Sequence, residues 1–297
     1  MTKIIKFTVD DVRFPTSKDL TGSDAIHTDP DYSATYVTAH TDDNNLKGYG
    51  IAFTIGKGND IVADCIKHYF PIFENLSLED LENDIGKLWY SCVDHSQLRW
   101  LGPEKGVVHM AVAAIFNCFW DLIAKKNQKP LWKFIVESEP EKILSWLTFK
   151  YVEDVLSPDD ALKILKSNQV EKNKRIKTIL DEGYPSYTTA AGWLGYSDDK
   201  IIELCNQYKS LGWKHFKIKV GLDLEADVKR LELIRKTIGN DCFIMVDANQ
   251  QWSVEQSIKH INAYKKFDLF FVEEPTSPDD VLGFAKIKKE VGDVRLA

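Results

Sequence analysis

The sequence predicts an α+β unit followed by an incomplete (β/α) barrel. Residues 1 to about 140 begin with strand patterns and continue as helices. Beyond Tyr187, short apolar runs alternate with amphipathic helices, which is the pattern of successive βαβ units. We therefore expect two domains, one over residues 1–140 and one over residues 141–297.

The first domain is predicted to begin with a small antiparallel sheet. Its strands are Ile4 to Val12, Tyr32 to Ala39 and Gly48 to Ile55, with a turn before the third strand. A long polar segment joins the first two strands, and segments of that length are usually functional or disordered. From Ile61 to about Val136 the pattern is helical, and Val107 to Ile123 is apolar enough to form a buried core helix.

The second domain is predicted to contain parallel strands, each followed by a helix. The strand candidates are Tyr187 to Ala191, His215 to Val220, Cys242 to Val246 and Leu269 to Val272, with a fifth at Asp293 to Ala297. A complete eight-unit barrel needs about 250 residues. A barrel that stops inside a strand exposes an unpaired sheet edge. We therefore expect a chain truncated in or near the fifth strand.

Composition narrows the class of partner. The chain has 297 residues and a formal charge of −7, from 45 acidic and 38 basic residues without a long run of one sign. This disfavours nucleic acid and membrane partners and leaves a small molecule. No apolar run was expected to approach the roughly 20 residues that cross a bilayer. Five cysteines without a CxxC pair indicate reduced thiols, and the N-terminal residues lack a targeting pattern, so a cytoplasmic protein is expected.

Two lysines share one face of a predicted barrel strand. Along Phe216 to Val220 the apolar side chains point to one face, and Lys217 and Lys219 point to the other. Parallel strands are covered on both faces, so the lysines should point to the barrel interior; a solvated lysine face is the alternative. Neighbouring ammonium groups and partial burial lower a lysine pKa, and such a lysine can act as a general base.

Oxygen-bearing side chains follow the next two strands. Asp247 and Asn249 come after one apolar run, and Glu273 and Glu274 come at the same point of the next unit. Barrel enzymes keep their active sites at this end of the strands. Two carboxylates at one rim suit Mg²⁺, although each motif alone also fits a turn or a helix cap. Their shared register with the lysine pair favours a site.

These motifs resemble those of a known family. The mandelate racemase-like branch of the enolase superfamily is indicated by KIK, VDANQ and VEEPTSPDD, one βα unit apart, and by the upstream helix AAIFNCFWDLIAKKNQKPLW. Its L-fuconate dehydratase group is indicated by RFPTSKDLTGSDAIHTDPDYS, QLRWLGPEKGVVH and YPSYTTAAGWLGYSDD. The likeness covers essentially the whole chain. It implies an α+β N-terminal capping domain followed by a TIM-type barrel.

The resemblance implies a role for each side chain. Asp247 and Glu273 would be the first two Mg²⁺ ligands, and Lys219 would remove the proton next to the substrate carboxylate. Lys217 would contact that carboxylate, and Asn249 and Glu273 would line the substrate pocket. The implied reaction converts a sugar acid such as L-fuconate, through an enediolate and loss of water, into a 2-keto-3-deoxy acid. Mg²⁺ would stabilise the developing charge.

The long polar segment of the first domain is the expected specificity loop. In this family such loops fold over the barrel mouth and choose the substrate. Gly22, Ser23, Asp24 and Tyr32 are predicted to bind it, because sugar hydroxyl groups need paired donors and acceptors. A plain solvated loop is the alternative.

The end of the sequence departs from the family pattern. The family requires a third acidic metal ligand after the fifth strand, and an Asp and a His from later strands, which this chain lacks. We therefore expect the chain as written to be inactive, either as a fragment or as a degenerate gene product. The full-length protein could form a homo-oligomer. Three functions stay open: an L-fuconate dehydratase, another sugar-acid dehydratase or racemase of the superfamily, and a non-catalytic binding protein.

Overall fold

The computed structural model describes residues 2–297, which form two compact units. The first contains residues 2–14 and 32–183, and the second contains Pro15–Asp31 and Tyr184–Ala297. Sequence reasoning placed the division near residue 140. In the structure the helices between residues 140 and 183 belong to the first unit, and the long polar segment belongs to the second.

The first unit opens with an antiparallel sheet of three strands, paired in chain order. The strands are β1 (Ile4–Arg13), β2 (Ser33–Thr41) and β3 (Lys47–Thr54). The helices are α1 (Asn59–Phe73), α2 (Leu78–Val93), α3 (Val107–Lys126), α4 (Leu131–Glu137), α5 (Pro140–Ser145), α6 (Pro158–Ser167) and α7 (Lys172–Glu182). The three predicted strands and the helical region that follows them are confirmed.

Helix α3 forms the centre of the first unit. It packs closely on β3 because Gly48 and Gly50 have no side chains; a Cβ at either position would come closer than 3.0 Å to the backbone of α3. The helix is long and apolar enough, by length and composition, to span a membrane, which corrects the expectation that no such run is present. However, 61% of its most apolar stretch is buried inside the unit, as in the core helix of a globular domain.

The second unit contains a parallel sheet with strands in chain order. The strands are β4 (His215–Lys219), β5 (Phe243–Asp247) and β6 (Leu269–Glu273). The helices are α8 (Asp198–Ser210), α9 (Leu224–Ile238), α10 (Val254–Tyr264) and α11 (Val281–Val291). A helix follows each strand, so the predicted βαβ pattern is confirmed. Apolar side chains of β4 and β5 pack against these helices.

Two predicted strands are reduced to single bridges. In the stretch Tyr187 to Ala191, only Thr188 pairs with the sheet, beside Phe216 of β4. The Thr188 hydroxyl accepts a hydrogen bond from the Ala190 N–H at 3.2 Å, and the Gly192 N–H donates to the Thr189 carbonyl at 2.9 Å. These local bonds turn the backbone away from the ladder, and a full strand here was a wrong prediction. Within residues 293–297, Leu296 alone forms a bridge, with Val272 of β6.

Candidate functional site

The parallel strands bring three charged side chains to one edge of the sheet. Lys219, Asp247 and Glu273 are the last residues of β4, β5 and β6. Lys219 is the register partner of Asp247, and Asp247 is the register partner of Glu273. Neighbouring strands lie about 4.8 Å apart, so side chains of this length meet across the edge. The site predicted from the sequence therefore assembles at the carboxyl ends of the strands.

Four ionic groups at this edge form one network. The Lys217 ammonium donates to Glu273 Oε2 at 2.7 Å and lies 3.2 Å from Asp247 Oδ2. The Lys219 ammonium donates to the same Asp247 oxygen at 2.7 Å and to Asn249 Oδ1 at 2.8 Å. Lys217 is 7% exposed and Lys219 8% exposed. The lysines are therefore buried inside the unit, which rules out the alternative of a solvated lysine face.

The carboxylates change the titration expected for the lysine pair. Burial acts to lower the pKa of Lys217, but hydrogen bonds with Glu273 and Tyr187 and the negative charges of Asp247 and Glu273 outweigh it. As a result, the pKa of Lys217 is raised above its ordinary value. The expectation that the two ammonium groups lower each other's pKa is therefore wrong for Lys217. Sequence reasoning treated the lysines as a pair and left out the acids from the neighbouring strands.

A sharp turn after β5 places Asn249. Its backbone has φ of 48°, in the left-handed region, which non-glycine residues rarely adopt and which asparagine tolerates best. Its N–H donates to Asp247 Oδ1 at 3.0 Å while its side-chain oxygen accepts from Lys219. Each Asp247 oxygen therefore has a distinct partner. Glu274, after β6, also has a left-handed backbone, and its carboxylate accepts from the Gln250 side chain instead.

Two aromatic rings beside the lysines were not assigned from the sequence. The Lys217 ammonium lies 4.9 Å from the centroid of the Tyr187 ring, and the Lys219 ammonium lies 5.7 Å from that of Trp193. These distances permit cation–π attraction. Both rings come from the segment before α8, which could not be aligned with β4 without knowing that Thr188 pairs with Phe216.

The polar segment Pro15–Asp31 is ordered in the second unit and is not a plain solvated loop. The Ser23 carbonyl accepts from the Leu194 N–H at 3.1 Å, and the Ser23 hydroxyl accepts from the Gly195 N–H at 2.9 Å. Asp24 accepts from the N–H groups of Ile26 and His27 at 2.8 and 2.7 Å. Both side chains are buried and hold the segment in its folded form.

The remaining predicted substrate residues divide between the units. Gly22 is buried in the second unit, and its φ of 90° places it in the left-handed region that favours glycine. Tyr32 lies in the first unit, where its ring packs edge-on against Phe53 with 4.9 Å between centroids. The substrate-binding roles of Gly22, Ser23, Asp24 and Tyr32 stay predictions.

The oxygen donors suit a magnesium ion. Asp247 and Glu273 present carboxylates from register partners, and both already hold cationic groups, the lysine ammoniums. The residues that the structure describes include no cluster of three His, Cys, Asp or Glu side chains able to hold a metal. Mg²⁺ commonly binds through one or two carboxylates and keeps several waters or substrate oxygens. Two carboxylates are therefore a sufficient protein contribution.

A buried carboxylate supports the turn after β4. Asp227, on α9, accepts from the Gly221 N–H at 2.8 Å and from the Tyr264 hydroxyl at 2.9 Å with the same oxygen. The Trp252 indole N–H donates to the Gly221 carbonyl at 3.3 Å. Gly221 has φ of 126°, a conformation that favours glycine. This network fixes the backbone two residues after Lys219.

We expect Asp227→Asn to be tolerated and Asp227→Leu to cost about 2 to 4 kcal/mol of unfolding free energy, because leucine leaves two buried donors unpaired. Burial raises the pKa of Asp227. The unfolded carboxyl group therefore ionises first as the pH rises. The wild-type protein should lose stability relative to Asp227→Asn between about pH 4 and pH 7. Urea unfolding across this range measures both effects, and a constant difference between the two proteins contradicts the second.

Parallel βα units that carry paired lysines and carboxylates at the strand ends, together with an α+β unit, define a barrel-type enzyme class. Comparisons with known proteins identify the family. Residues 200–297 match the family described as Enolase C-terminal domain-like. The chain superposes on the crystal structure of human mitochondrial enolase superfamily member 1 with a TM-score of 0.95 and 45% identity, covering 99% of this chain and 67% of that one. The chain belongs to the enolase superfamily.

Other relatives within the family have similar names. The chain is 46% identical over 295 residues to mitochondrial enolase superfamily member 1 of Xenopus laevis, covering 99% of this chain. It is 44% identical over 281 residues to L-galactonate dehydratase of Hypocrea jecorina, covering 94% of this chain and 62% of the relative. A racemase of Streptomyces coelicolor A3(2), solved with bound magnesium, is 26% identical with a TM-score of 0.72, covering 97% of this chain and 67% of that one. The chain spans 66% of the length of the Xenopus laevis relative.

Proposed function

We propose that this chain carries the proton-abstracting part of a Mg²⁺-dependent sugar-acid dehydratase whose substrate is L-fuconate. The observation that carries the proposal is the network of Lys217, Lys219, Asp247, Asn249 and Glu273 at the carboxyl ends of β4 to β6. Its residue types suit the removal of a proton next to a carboxylate. Two of the relatives above support the assignment, one named as a dehydratase and one solved with magnesium.

The two lysines differ in what they can do. Lys217 has a raised pKa and stays protonated, so it suits binding of the substrate carboxylate as a fixed cation. Lys219 is the proposed base. Its ammonium group is held between Asp247 and Asn249, so the nitrogen occupies a defined position at the strand edge. The α C–H bond breaks, Lys219 Nζ takes the proton, and the electron pair forms the enediolate.

Asp247 and Glu273 are the proposed metal ligands. When bound, Mg²⁺ would stabilise negative charge on the substrate carboxylate. The β C–O bond then breaks, hydroxide takes up a proton to leave as water, and the enol product becomes a 2-keto-3-deoxy acid. Since the same first step serves a racemase, the fate of the enediolate separates these two activities.

The proposed substrate rests on the relative that acts on L-galactonate according to its name. L-Fuconate has the same stereochemistry as L-galactonate and lacks only the terminal hydroxyl group. Ser23 and Asp24 in the folded segment near residues 194 and 195 are proposed to contact the polyhydroxyl chain. Selectivity between the two acids would then depend on the surroundings of the last carbon.

The decisive experiment assays 2-keto acid formation by the longest reading frame that contains this chain. The panel is L-fuconate, L-galactonate, galactarate and arabinonate with Mg²⁺, in normal water and in D₂O. Turnover of L-fuconate supports the proposal, and preferred turnover of another acid replaces the substrate. Deuterium incorporation next to the carboxylate without loss of water indicates a racemase. A folded product that does neither contradicts the enzymatic proposal and leaves a binding protein.

Magnesium binding can be tested directly on this chain. We expect Asp247→Asn and Glu273→Gln to weaken Mg²⁺ binding by roughly tenfold or more, since loss of even an outer-shell partner costs about 10- to 100-fold. Isothermal titration calorimetry measures the dissociation constant. Glu274→Gln is the matched control, because Glu274 adjoins Glu273 but hydrogen-bonds the Gln250 side chain. Equal affinity in all four proteins, including the wild type, would place the ion elsewhere.

A further inference from the structure

Helix α9 carries a largely buried arginine that the proposed chemistry does not use. The Arg230 guanidinium donates to the carbonyl of Trp193 and, at 3.2 Å, to the carbonyl of Leu194. Burial lowers the pKa of Arg230, a sign that its charge is removed from water. Its Nε is also buried, without a hydrogen-bond partner among the described residues. Such a cation is costly to bury, so its contacts require an explanation.

The backbone that Arg230 holds faces the catalytic lysine on one side. The Gly192 carbonyl accepts from the Lys219 N–H at 2.9 Å, and the Trp193 ring lies beside the Lys219 ammonium. A shift of residues 192–194 would therefore move both the β4 backbone and the ring next to the proposed base.

The same backbone binds the polar segment Pro15–Asp31 on the other side. Leu194 and Gly195 donate their N–H groups to Ser23, and the Tyr196 hydroxyl lies 2.8 Å from the Thr21 hydroxyl. Gly195 permits this approach, because a Cβ there would come closer than 3.0 Å to Leu20. Residues 193–196 therefore lie between Arg230 and the segment that carries Gly22, Ser23 and Asp24.

We propose that Arg230 is a positioning residue for recognition of the polyhydroxy acid. By fixing the carbonyls of Trp193 and Leu194, it holds the adjacent N–H groups in place for Ser23 and so fixes the predicted substrate-binding segment. Arg230 itself does not contact the substrate. The proposal rests on the function proposed above, although the link between Arg230 and the segment is a property of the fold and can be measured separately.

The same helix supplies a matched control. Arg235 is also partly buried and donates to backbone carbonyls, those of Gly239, Cys242 and Phe267, at 2.9, 2.7 and 2.7 Å. These carbonyls precede β5 and β6 and so lie at the opposite end of the strands from the lysines. A purely structural arginine should behave alike at both positions.

Hydrogen–deuterium exchange tests the link without requiring activity. In Arg230→Met, the amides of Asp24, Leu194 and Gly195 should exchange at least about tenfold faster, because their common support is lost. In Arg235→Met those amides should be unchanged, and faster exchange should appear near residues 239–243. Arg230→Lys should restore part of the protection, since an ammonium can reach one of the two carbonyls. Equal effects of Arg230→Met and Arg235→Met on Asp24 overturn the proposal.

Steady-state kinetics tests recognition. In Arg230→Met we expect KM for the preferred sugar acid to rise about tenfold while kcat changes less than about threefold, the pattern of lost ground-state and transition-state binding. Arg235→Met should leave KM unchanged. An unchanged KM in Arg230→Met, with faster exchange at Asp24, would contradict the recognition role alone. Absence of turnover in the wild type would contradict the proposed function, and the exchange result would still decide the structural link.

Discussion

Lys219→Met should lower kcat/KM for the preferred sugar acid by about 10²- to 10⁴-fold, the contribution expected of a positioned general base. Methionine has a similar length and an apolar stem, so it fills the buried space but cannot accept a proton. Lys219 lies at the end of β4, and its nitrogen contacts both Asp247 and Asn249. Formation of 2-keto acid with Mg²⁺ present measures the loss.

The matched control for this variant is Lys214→Met. Lys214 directly precedes β4, is exposed, and pairs with Asp241 at 2.7 Å, so its loss should leave turnover unchanged. Mg²⁺ affinity should be retained in Lys219→Met, because Asp247 loses an ammonium that competes with the ion. Turnover in Lys219→Met above about a tenth of the wild-type value would assign proton abstraction to another group.

The part of the site that sequence reasoning predicted depends on local rules. Alternation along a strand placed Lys217 and Lys219 on one face, and the ends of apolar runs placed Asp247 and Glu273 at the same edge. Neither rule needs a partner far along the chain beyond the assumption of a parallel sheet. The same holds for the antiparallel pairing of β1, β2 and β3, which short connections favour.

The parts that were missed depend on contacts between distant residues. Ser23 and Gly195 are separated by 172 positions, so no local pattern indicates that Pro15–Asp31 belongs to the second unit. The raised pKa of Lys217 requires acids from two other strands. Arg230 reads in the sequence as one more charged residue on an amphipathic helix, and only the buried carbonyls of Trp193 and Leu194 distinguish it.

Gly192→Ala is the second variant with a large expected effect. A Cβ at this position would come closer than 3.0 Å to the Lys217 carbonyl, a separation that real Cβ atoms essentially never show. Both groups are backbone, so β4 or the segment before α8 must move. We expect a loss of about 1 to 3 kcal/mol in unfolding free energy, as for overpacked sites. Since displacement by about 1 Å can cost roughly 10²-fold in rate, turnover per folded molecule should also fall.

Gly212→Ala separates this clash from a general intolerance of alanine. Gly212 has φ of 91°, and a Cβ there would have no atom within 4 Å. Its replacement should cost about 1 to 2 kcal/mol for the left-handed conformation and leave kcat/KM unchanged. Urea unfolding and turnover, measured on the same preparations, compare the two variants. If Gly192→Ala loses stability but keeps its turnover, the position of residues 192–194 does not control Lys219, and the distance from Gly192 to β4 matters for folding alone.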